Sequence, residues 1–523
     1  MSSLQQIIRH SVQLRGNQVA TRFGKRSQTW CKLEQRIARL ASGLHALGVE
    51  EGDRLAILAL NSDRYYEFYF GSAWAGAVFV PVNTRLAPAE FVHWLNDSGS
   101  KLLFVDDSFL DVVAKIRDRL ETVQDFVYLG DSELPDGYIA YEDLVAKHGP
   151  AAPSERCGDD MVGLFYTGGT TGKSKGVMLS HRNLAYNVLQ SLPYFEINED
   201  DVFLHAAPMF HIADGFCCMI AATMGCTNVI VPAFEPVLVL ETLQNEEVTA
   251  ALLVPTMINM LVNFPRLSEY DLSKLHRLLY GASPMPEAVI LKALEVIPHV
   301  NFYQAYGQTE ASPVITVMEP RYHTVSGPFA GKIQGAGRAV AGVDLVILDE
   351  EGNRVETGEV GEVCIRGENV MLGYWNLPEI TAEALRGGWL HTGDGGRLDE
   401  EGMLFIVDRV KDMIVSGGEN VYSAETEQAV YQHPAVAECA VIGIPHETWG
   451  EQVHAIVVLK PGQELTGQEL IDHCKNLIAG FKCPRSVTFR EEPLPLSGAG
   501  KILKKDLRAP YWEGQERSVS REG

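Results

Sequence analysis

The residues with the clearest chemistry lie in one run, Tyr166-Thr-Gly-Gly-Thr-Thr-Gly-Lys-Ser-Lys-Gly-Val177. It follows the apolar stretch Met161–Phe165, which reads as a strand. Gly168, Gly169 and Gly172 let the backbone approach an anion, and successive N–H groups in such a loop form an anion-binding nest. Thr167, Thr170 and Thr171 add hydroxyl donors, and Lys173 and Lys175 add positive charge. The spacing argues against the phosphate loop G-x-x-x-x-G-K-S/T. Its end is present as Gly172-Lys173-Ser174. Its start is not: Thr167 stands where the first glycine belongs, and Gly168 is one residue too close.

Six further runs combine glycine or proline with polar groups. They are Met209-Phe-His-Ile-Ala-Asp-Gly215, Gly281-Ala-Ser-Pro-Met-Pro286, Tyr306-Gly-Gln-Thr-Glu310, Trp389-Leu-His-Thr-Gly-Asp394, Ser416-Gly-Gly-Glu-Asn420 and Pro495-Leu-Ser-Gly-Ala-Gly-Lys501. Alone, each has a plain structural reading as a turn, a helix cap, a core residue or a loose tail. In this order after the loop, they resemble the adenylate-forming superfamily of acyl-CoA synthetases, luciferases and peptide-synthetase adenylation domains. The match is to its acyl-CoA synthetase, or fatty-acid–CoA ligase, branch, and runs from about residue 30 to 508. Two loop positions depart from the common pattern S/T-S/G-G-S/T-T-G-x-P-K-G. Gly168 stands where serine is frequent, and Ser174 where proline is usual.

The resemblance implies a set of roles. ATP is held by Thr167, Gly168, Gly169, Thr170, Thr171, Gly172 and Lys175, with adenine contacts at Gly281, Ala282, Ser283, Tyr306 and Gly307. Thr309 bonds a phosphate. Glu310 and Thr170 hold Mg2+, a hard cation that prefers oxygen. Asp394 binds the ribose hydroxyls, with Arg409 as its charge-assisted partner. Gly417 and Gly418 leave room for the thin arm of coenzyme A. Lys501, on a glycine-rich arm, reaches the carboxylate and the α-phosphate. Lys411 is the hinge about which a small domain turns between half-reactions. His211 is a gating residue beside the carboxylate. Ala213 and Gly215 suggest a deep acyl pocket, with Met257, Ala305, Val314 and Cys217 as further lining. Asp214 is expected to point away from it or to cap a helix, because an acid facing an apolar tail is costly to bury.

The implied activity is that of an acid–thiol ligase. A carboxylic acid and ATP give acyl-AMP and pyrophosphate, and coenzyme A then gives acyl-CoA and AMP. The expected substrate is a medium- or long-chain fatty acid or an aryl-alkanoic acid. Two other readings stand beside it: an acyl-AMP ligase loading a carrier protein, and a nucleotide-binding module without turnover. The glycine pair at 417 and 418 and Trp449-Gly-Glu451 favour coenzyme A. Retention of Glu310, Asp394, Arg409 and Lys501 favours catalysis.

These residues need a scaffold, and the hydrophobic pattern supplies one. Strand-like Arg54–Leu60, helical Asp63–Ala77, and strand-like Val78–Val82 and Leu102–Val105 read as β-α-β units with a parallel sheet. Val229–Val231 and Ala251–Val254 repeat the pattern. After about Gly335 come Val343–Leu348, Val360–Arg366 and Leu404–Val407, with turns at Asp349–Gly352 and Asp399–Gly402. Beyond residue 410, helices at Ala424–Gln432 and Gly467–Ile478 flank strands at Glu438–Ile442 and His454–Leu459. The expected fold is therefore multidomain α/β. Residues 1–409 form an AMP-binding domain of αβ-sheet subdomains plus a β-barrel-like subdomain. Residues 410–523 form a small mobile α+β lid.

Composition bounds the rest. A chain of 523 residues is too long for one ordinary domain. A net charge of −24 disfavours nucleic acid as a partner, since no broad basic face replaces phosphate counterions. The partners are then small molecules, with a homodimer left open. Nine cysteines without a C-x-x-C pair suit a reducing cytoplasm. The first residues lack the long apolar core of a signal peptide. Phe216–Pro232 and Ala250–Val262 read as core, short of the ~20 residues of a membrane helix.

Overall fold

A computed structural model describes residues 3–167, 174–409, 412–416, 419–446, 448–498 and 500–513, with the side chains of 409, 419 and 420 outside that description. Alternation along the strands decides the layers. In Arg54–Leu58, Leu55 and Ile57 enter one buried cluster, and Ala56 and Leu58 enter another. Ser100–Val105 divides Leu102 and Phe104 from Leu103 and Val105 in the same way. In a second sheet, Phe203, Ala250, Leu252 and Leu279 join the first cluster, while Leu204, Ala251 and Tyr280 join a third. Successive side chains of a strand point to opposite faces. The shared cluster therefore lies between the two sheets, and the other two cover their outer faces.

Helices fill each layer. Trp30–Ala46, Asp63–Trp74, His181–Phe195 and Ile212–Met224 pack between the sheets. Pro88–Ser98 and Leu110–Ile116 cover one outer face; Pro236–Asn245, Pro255–Val262 and Glu287–Val296 cover the other. Side chains set the helix starts. Ser62 accepts from the Tyr65 amide to cap Asp63–Trp74, and Ser180 with Asn183 forms a capping box for His181–Phe195. Asp63–Trp74 is buried along its whole length. Its Glu67 is held by Arg36 at 2.7 Å and by the Tyr141 hydroxyl at 2.6 Å, since an unpaired buried carboxylate is too costly to keep.

The sheets have nine and eight strands. In the larger, Thr227–Ile230, Val202–His205, Ala250–Leu252, Arg277–Gly281 and Asn301–Gly307 lie side by side and parallel. In the smaller, Met161–Thr167, Val78–Pro81, Arg54–Leu58, Ser100–Val105 and Asp125–Tyr128 do the same. Both faces of each sheet are covered, as parallel sheets require.

The β-barrel-like subdomain is corrected to an open sheet. Asp344–Leu348, Gly361–Arg366, Leu390–Leu398 and Leu404–Arg409 pair antiparallel in that order. Among the described residues the outer two do not pair with each other. Four strands cannot close around an interior; about eight are needed to enclose a layer of side chains. Both expected turns form, with Gly352 and Gly402 amides donating to the carbonyls of Asp349 and Asp399.

The smaller C-terminal domain is built on Val436–His446 and Gly450–Leu459, paired antiparallel, with Ser486–Arg490 added in parallel. Helices Ser423–Tyr431 and Gly467–Lys475 close its core. Among the described residues, no helix is long and apolar enough to cross a membrane.

Candidate active site

Loops that leave the carboxyl ends of parallel strands are where ligands bind in such sheets. Strand Met161–Thr167 leads into the glycine-rich loop, and Val202–His205 into Met209–His211. Arg277–Gly281 leads to Ala282 and Ser283, and Asn301–Gly307 to Thr309 and Glu310. Register places Gly281 opposite Ala305, so these last two groups sit next to each other. A Cβ on Gly281 would lie 2.2 Å from the Ala305 carbonyl oxygen, which excludes any larger residue there.

Thr167 and Lys175 end two paired strands directly across from one another. They form the stems of the loop; Gly168, Gly169, Thr170, Thr171 and Gly172 lie outside the described residues. Tyr166, which opens the run, turns to the back. It stacks on Trp94 with ring centroids 4.8 Å apart and donates to Asp97 at 2.5 Å. It anchors the stem.

Glu310 is 8% exposed, with Thr309 buried beside it. Its Oε1 accepts from the Tyr374 hydroxyl at 2.9 Å, and its carbonyl accepts from the Met371 amide. Tyr374 pairs with Val177 in the strand after the loop, and Lys175 Nζ lies 4.3 Å above its ring. Tyr374 thus brings Lys175 and Glu310 to one place. Of these groups the Glu310 carboxylate is the one that offers oxygen to a hard divalent cation such as Mg2+.

Tyr306 donates to Asp394 Oδ2 at 2.8 Å, so the expected adenine and ribose residues adjoin. The turn before Asp394 is clamped. Glu362 accepts from the Gly393 amide at 3.0 Å and also meets His391 at 2.7 Å and Arg386 at 3.1 Å. Arg409 faces Asp394 in the strand register. Its side chain, like residues Lys411, Gly417 and Gly418, lies outside the described residues.

His211 caps helix Ile212–Met224: its Nδ1 accepts from the Ala213 amide at 3.2 Å. The neutral ring therefore carries its proton on Nε2. Burial, and then the charge of Lys501, lower its pKa from 6.5 to about 3. His211 as a whole is partly exposed.

Asp214 turns inward to His205, the first of the two placements expected of it. It is fully buried, and its Oδ2 lies 3.2 Å from His205 Nδ1. Asn228 gives its amide protons to the carbonyls of Ala20 and Cys226, so its Oδ1 must accept from His205 Nε2 at 2.9 Å. One proton is then left to be shared between Asp214 and His205 Nδ1, and burial pushes the Asp214 pKa up. Gly215 does not open a deep pocket: a Cβ there would lie 3.0 Å from the Tyr69 hydroxyl, which takes the space. Met257 packs in the outer cluster, apart from Cys217, Ala305 and Val314.

Burial also lowers the pKa of His181, His323 and His454 to about 4. A depressed folded-state pKa means stabilisation that is complete above the unfolded value of ~6.5 and lost as pH falls through the folded value. The urea midpoint is expected to drop steeply between pH 6.5 and 4, with protons taken up on unfolding. Asp214, with its raised pKa, acts oppositely: its contribution is present below ~3.9 and lost as pH rises through its folded value. Urea melts at pH 7.5, 6 and 5 check this; a midpoint flat across that range would contradict the burial of the four rings.

Lys501 comes from the C-terminal domain on a tight turn. Leu496 bridges to Ile502, Ser497 N donates to the Lys501 carbonyl at 2.7 Å, and Lys501 N donates to Ser497 Oγ at 3.1 Å. The turn touches the N-terminal domain. Arg85 Nη1 donates to the Ser497 carbonyl at 3.2 Å. A Cβ on Gly498 would lie 2.2 Å from Asn83 Oδ1, and one on Gly500 3.2 Å from Val254.

The sequence reading missed Tyr374, Glu362, His205, Asn83 and Arg85. Asn83 and Arg85 follow the carboxyl end of Val78–Pro81, and that position was their signal. Tyr374 and Glu362 act across long sequence separations and left none. Trp449 stacks on His446 with ring centroids 4.2 Å apart, and the Arg485 guanidinium lies over its ring at 3.6 Å.

Comparison with known proteins gives the class of this two-domain α/β fold. The family described as AMP-binding enzyme matches residues 8–375, and its C-terminal domain matches residues 425–501. The chain belongs to this AMP-binding enzyme family, in its acyl-CoA synthetase branch. It is 40% identical over 495 residues to a feruloyl-CoA synthase of Amycolatopsis sp, covering 94% of this chain and 96% of that protein. It is 38% identical over 499 residues to the fatty acid–acyl-carrier-protein ligase ScoC of Streptomyces coeruleorubidus, covering 95% and 94%. Among solved structures, the anthranilate CoA ligase AuaEII in complex with anthranoyl-AMP superposes with a TM-score of 0.90 at 28% identity, over 97% of each chain.

Proposed function

We propose that this protein is an ATP-dependent, AMP-forming acyl-CoA ligase for medium- or long-chain fatty acids or aryl-alkanoic acids. The observation that carries the reading is the docking of the turn that bears Lys501 on the N-terminal domain, where Arg85 holds the Ser497 carbonyl, and the charge of Lys501 helps to lower the His211 pKa. A carboxylate is a poor electrophile because its own charge repels nucleophiles. Its oxygen attacks the α-phosphorus of ATP, and the bond to pyrophosphate breaks. The CoA sulfur then attacks the acyl carbon of acyl-AMP, and AMP leaves.

The chain's part is positioning and electrostatics. Lys501 neutralises charge gathering on the carboxylate and α-phosphate. His211 offers Nε2–H beside the acid. Thr167, Lys175 and Thr309 face the phosphates, and Asp394 holds the ribose. Mg2+ held by Glu310 would supply further positive charge opposite the phosphates. Residues 410–523, turning about Lys411, would exchange the Lys501 arm for the Gly417–Gly418 loop. Asp214 turned toward His205 leaves no acid on the helix below His211, which supports an apolar acyl tail. Nine unpaired cysteines suit the cytoplasm.

Pyrophosphate release across a panel of fatty and aryl-alkanoic acids, with and without CoA, tests the reading. Acid-dependent release with a CoA thioester as product is expected. Release without any thioester, but with acylation of a carrier protein, would favour the second reading, which the likeness to ScoC supports. No release with any acid would overturn both.

A further inference from the structure

We infer that Asn83 and Arg85 are positioning residues that latch the Lys501 arm for acyl-AMP formation, with Gly498 seated against Asn83. This rests on the ligase reading above and adds to it the surface that receives the arm. Several observations agree. Strand Val78–Pro81 lies beside the strand that carries the phosphate loop, so the residues after it stand at the same edge. Asn83 is preset: its Oδ1 accepts from the Arg85 amide at 3.0 Å, which fixes both residues in one short turn. Arg85 then reaches out to the Ser497 carbonyl at 3.2 Å, across 412 residues of sequence. A guanidinium bound to a backbone carbonyl reads position and not side-chain identity.

The contact at Gly498 is the sharpest. A Cβ there would meet all three terminal atoms of Asn83, at 2.2 Å from Oδ1 and 2.6 Å from Cγ and Nδ2. Gly500 sits less tightly, 3.2 Å from Val254 and 3.3 Å from Thr256 for an added Cβ, and with φ at +77° it needs glycine in any case. Val254 and Thr256 flank the start of helix Pro255–Val262, which follows a strand of the other sheet. The arm is therefore gripped between loops from both sheets, with Lys501 following directly. Glycine at 498 is explained by this contact and not by conformation, because its φ is not in the left-handed region.

The test uses the full-length protein and separates the half-reactions. Gly498→Ala is expected to slow acyl-AMP formation by ~10²-fold, the effect of an ~1 Å misplacement of a reacting group. Thioester formation from supplied acyl-AMP should stay within about threefold, because the arm is undocked in that step. Asn83→Ala in the Gly498→Ala background removes the clashing amide and should recover at least ~10-fold. Arg85→Ala, in the otherwise native protein, should slow acyl-AMP formation by ~10-fold with little change in the second half-reaction, one charged hydrogen bond being lost. A Gly498→Ala variant with native acyl-AMP formation would overturn the latch. So would equal loss in both half-reactions, or a double variant no faster than Gly498→Ala. A native protein that forms no acyl-AMP from any acid would instead overturn the ligase reading itself.

Discussion

Lys501→Ala is expected to slow acyl-AMP formation by ~10²–10³-fold, the usual effect of losing one preorganised charge-stabilising donor, or ~3–4 kcal/mol of barrier. Thioester formation from supplied acyl-AMP should remain near native, since a lysine swung out of the cleft has no part in it. The structure adds a second readout. The Lys501 charge is one cause of the depressed His211 pKa, behind burial. Removing that charge should move the His211 titration upward from about 3; burial alone still keeps it below its ordinary value. NMR titration of His211 in both proteins measures the shift. An unmoved His211 would place the ammonium elsewhere, and equal loss in both half-reactions would take Lys501 out of the first step.

Glu310→Ala is the second large effect. Glu310 is nearly buried, and Tyr374 fixes one of its oxygens. Its loss is expected to slow pyrophosphate release by ~10²-fold or more and to raise the Mg2+ concentration needed for half-maximal rate. Glu310→Gln keeps an acceptor for Tyr374 but lacks the charge, so it should resemble alanine in Mg2+ dependence. Tyr374→Phe removes one neutral hydrogen bond, ~0.5–1.5 kcal/mol or about 2–10-fold. Pyrophosphate release measured across a Mg2+ series decides it. An unchanged Mg2+ requirement in Glu310→Ala would remove this residue from the metal site.

The layers were legible because alternation in Arg54–Leu58 and Ser100–Val105 is a local property, and a strand with two apolar faces must be covered twice. The run Tyr306–Glu310 was legible from its order after the phosphate loop, while the strand that carries it, Asn301–Gly307, was not read. What escaped is non-local. The barrel expectation failed because counting strands after Gly335 says nothing about whether the first and last pair. The pocket expectation at Gly215 failed because the space beside a glycine can be filled from elsewhere, in this case by Tyr69. Asp214 was expected to turn away or to cap a helix, but its partner His205 is on the preceding strand, and the proton they share depends on Asn228. Tyr374, which joins Lys175 to Glu310, is about 200 and 64 positions from them in sequence, beyond any periodicity.

Among the described residues, the turn that carries Lys501 is hydrogen-bonded to the N-terminal domain by one guanidinium on the Ser497 carbonyl, and glycines stand at its closest approaches. Contacts of about 1–3 kcal/mol bias two arrangements by only about 5–150-fold. On the ligase reading proposed above, an arm held by contacts of that size would come and go within every turnover without an unlocking signal, and the two half-reactions would share the enzyme by timing. A disulfide drawn from position 83 to position 498 would show the other extreme. It would leave a protein that makes acyl-AMP once, keeps it, and goes no further until reduced.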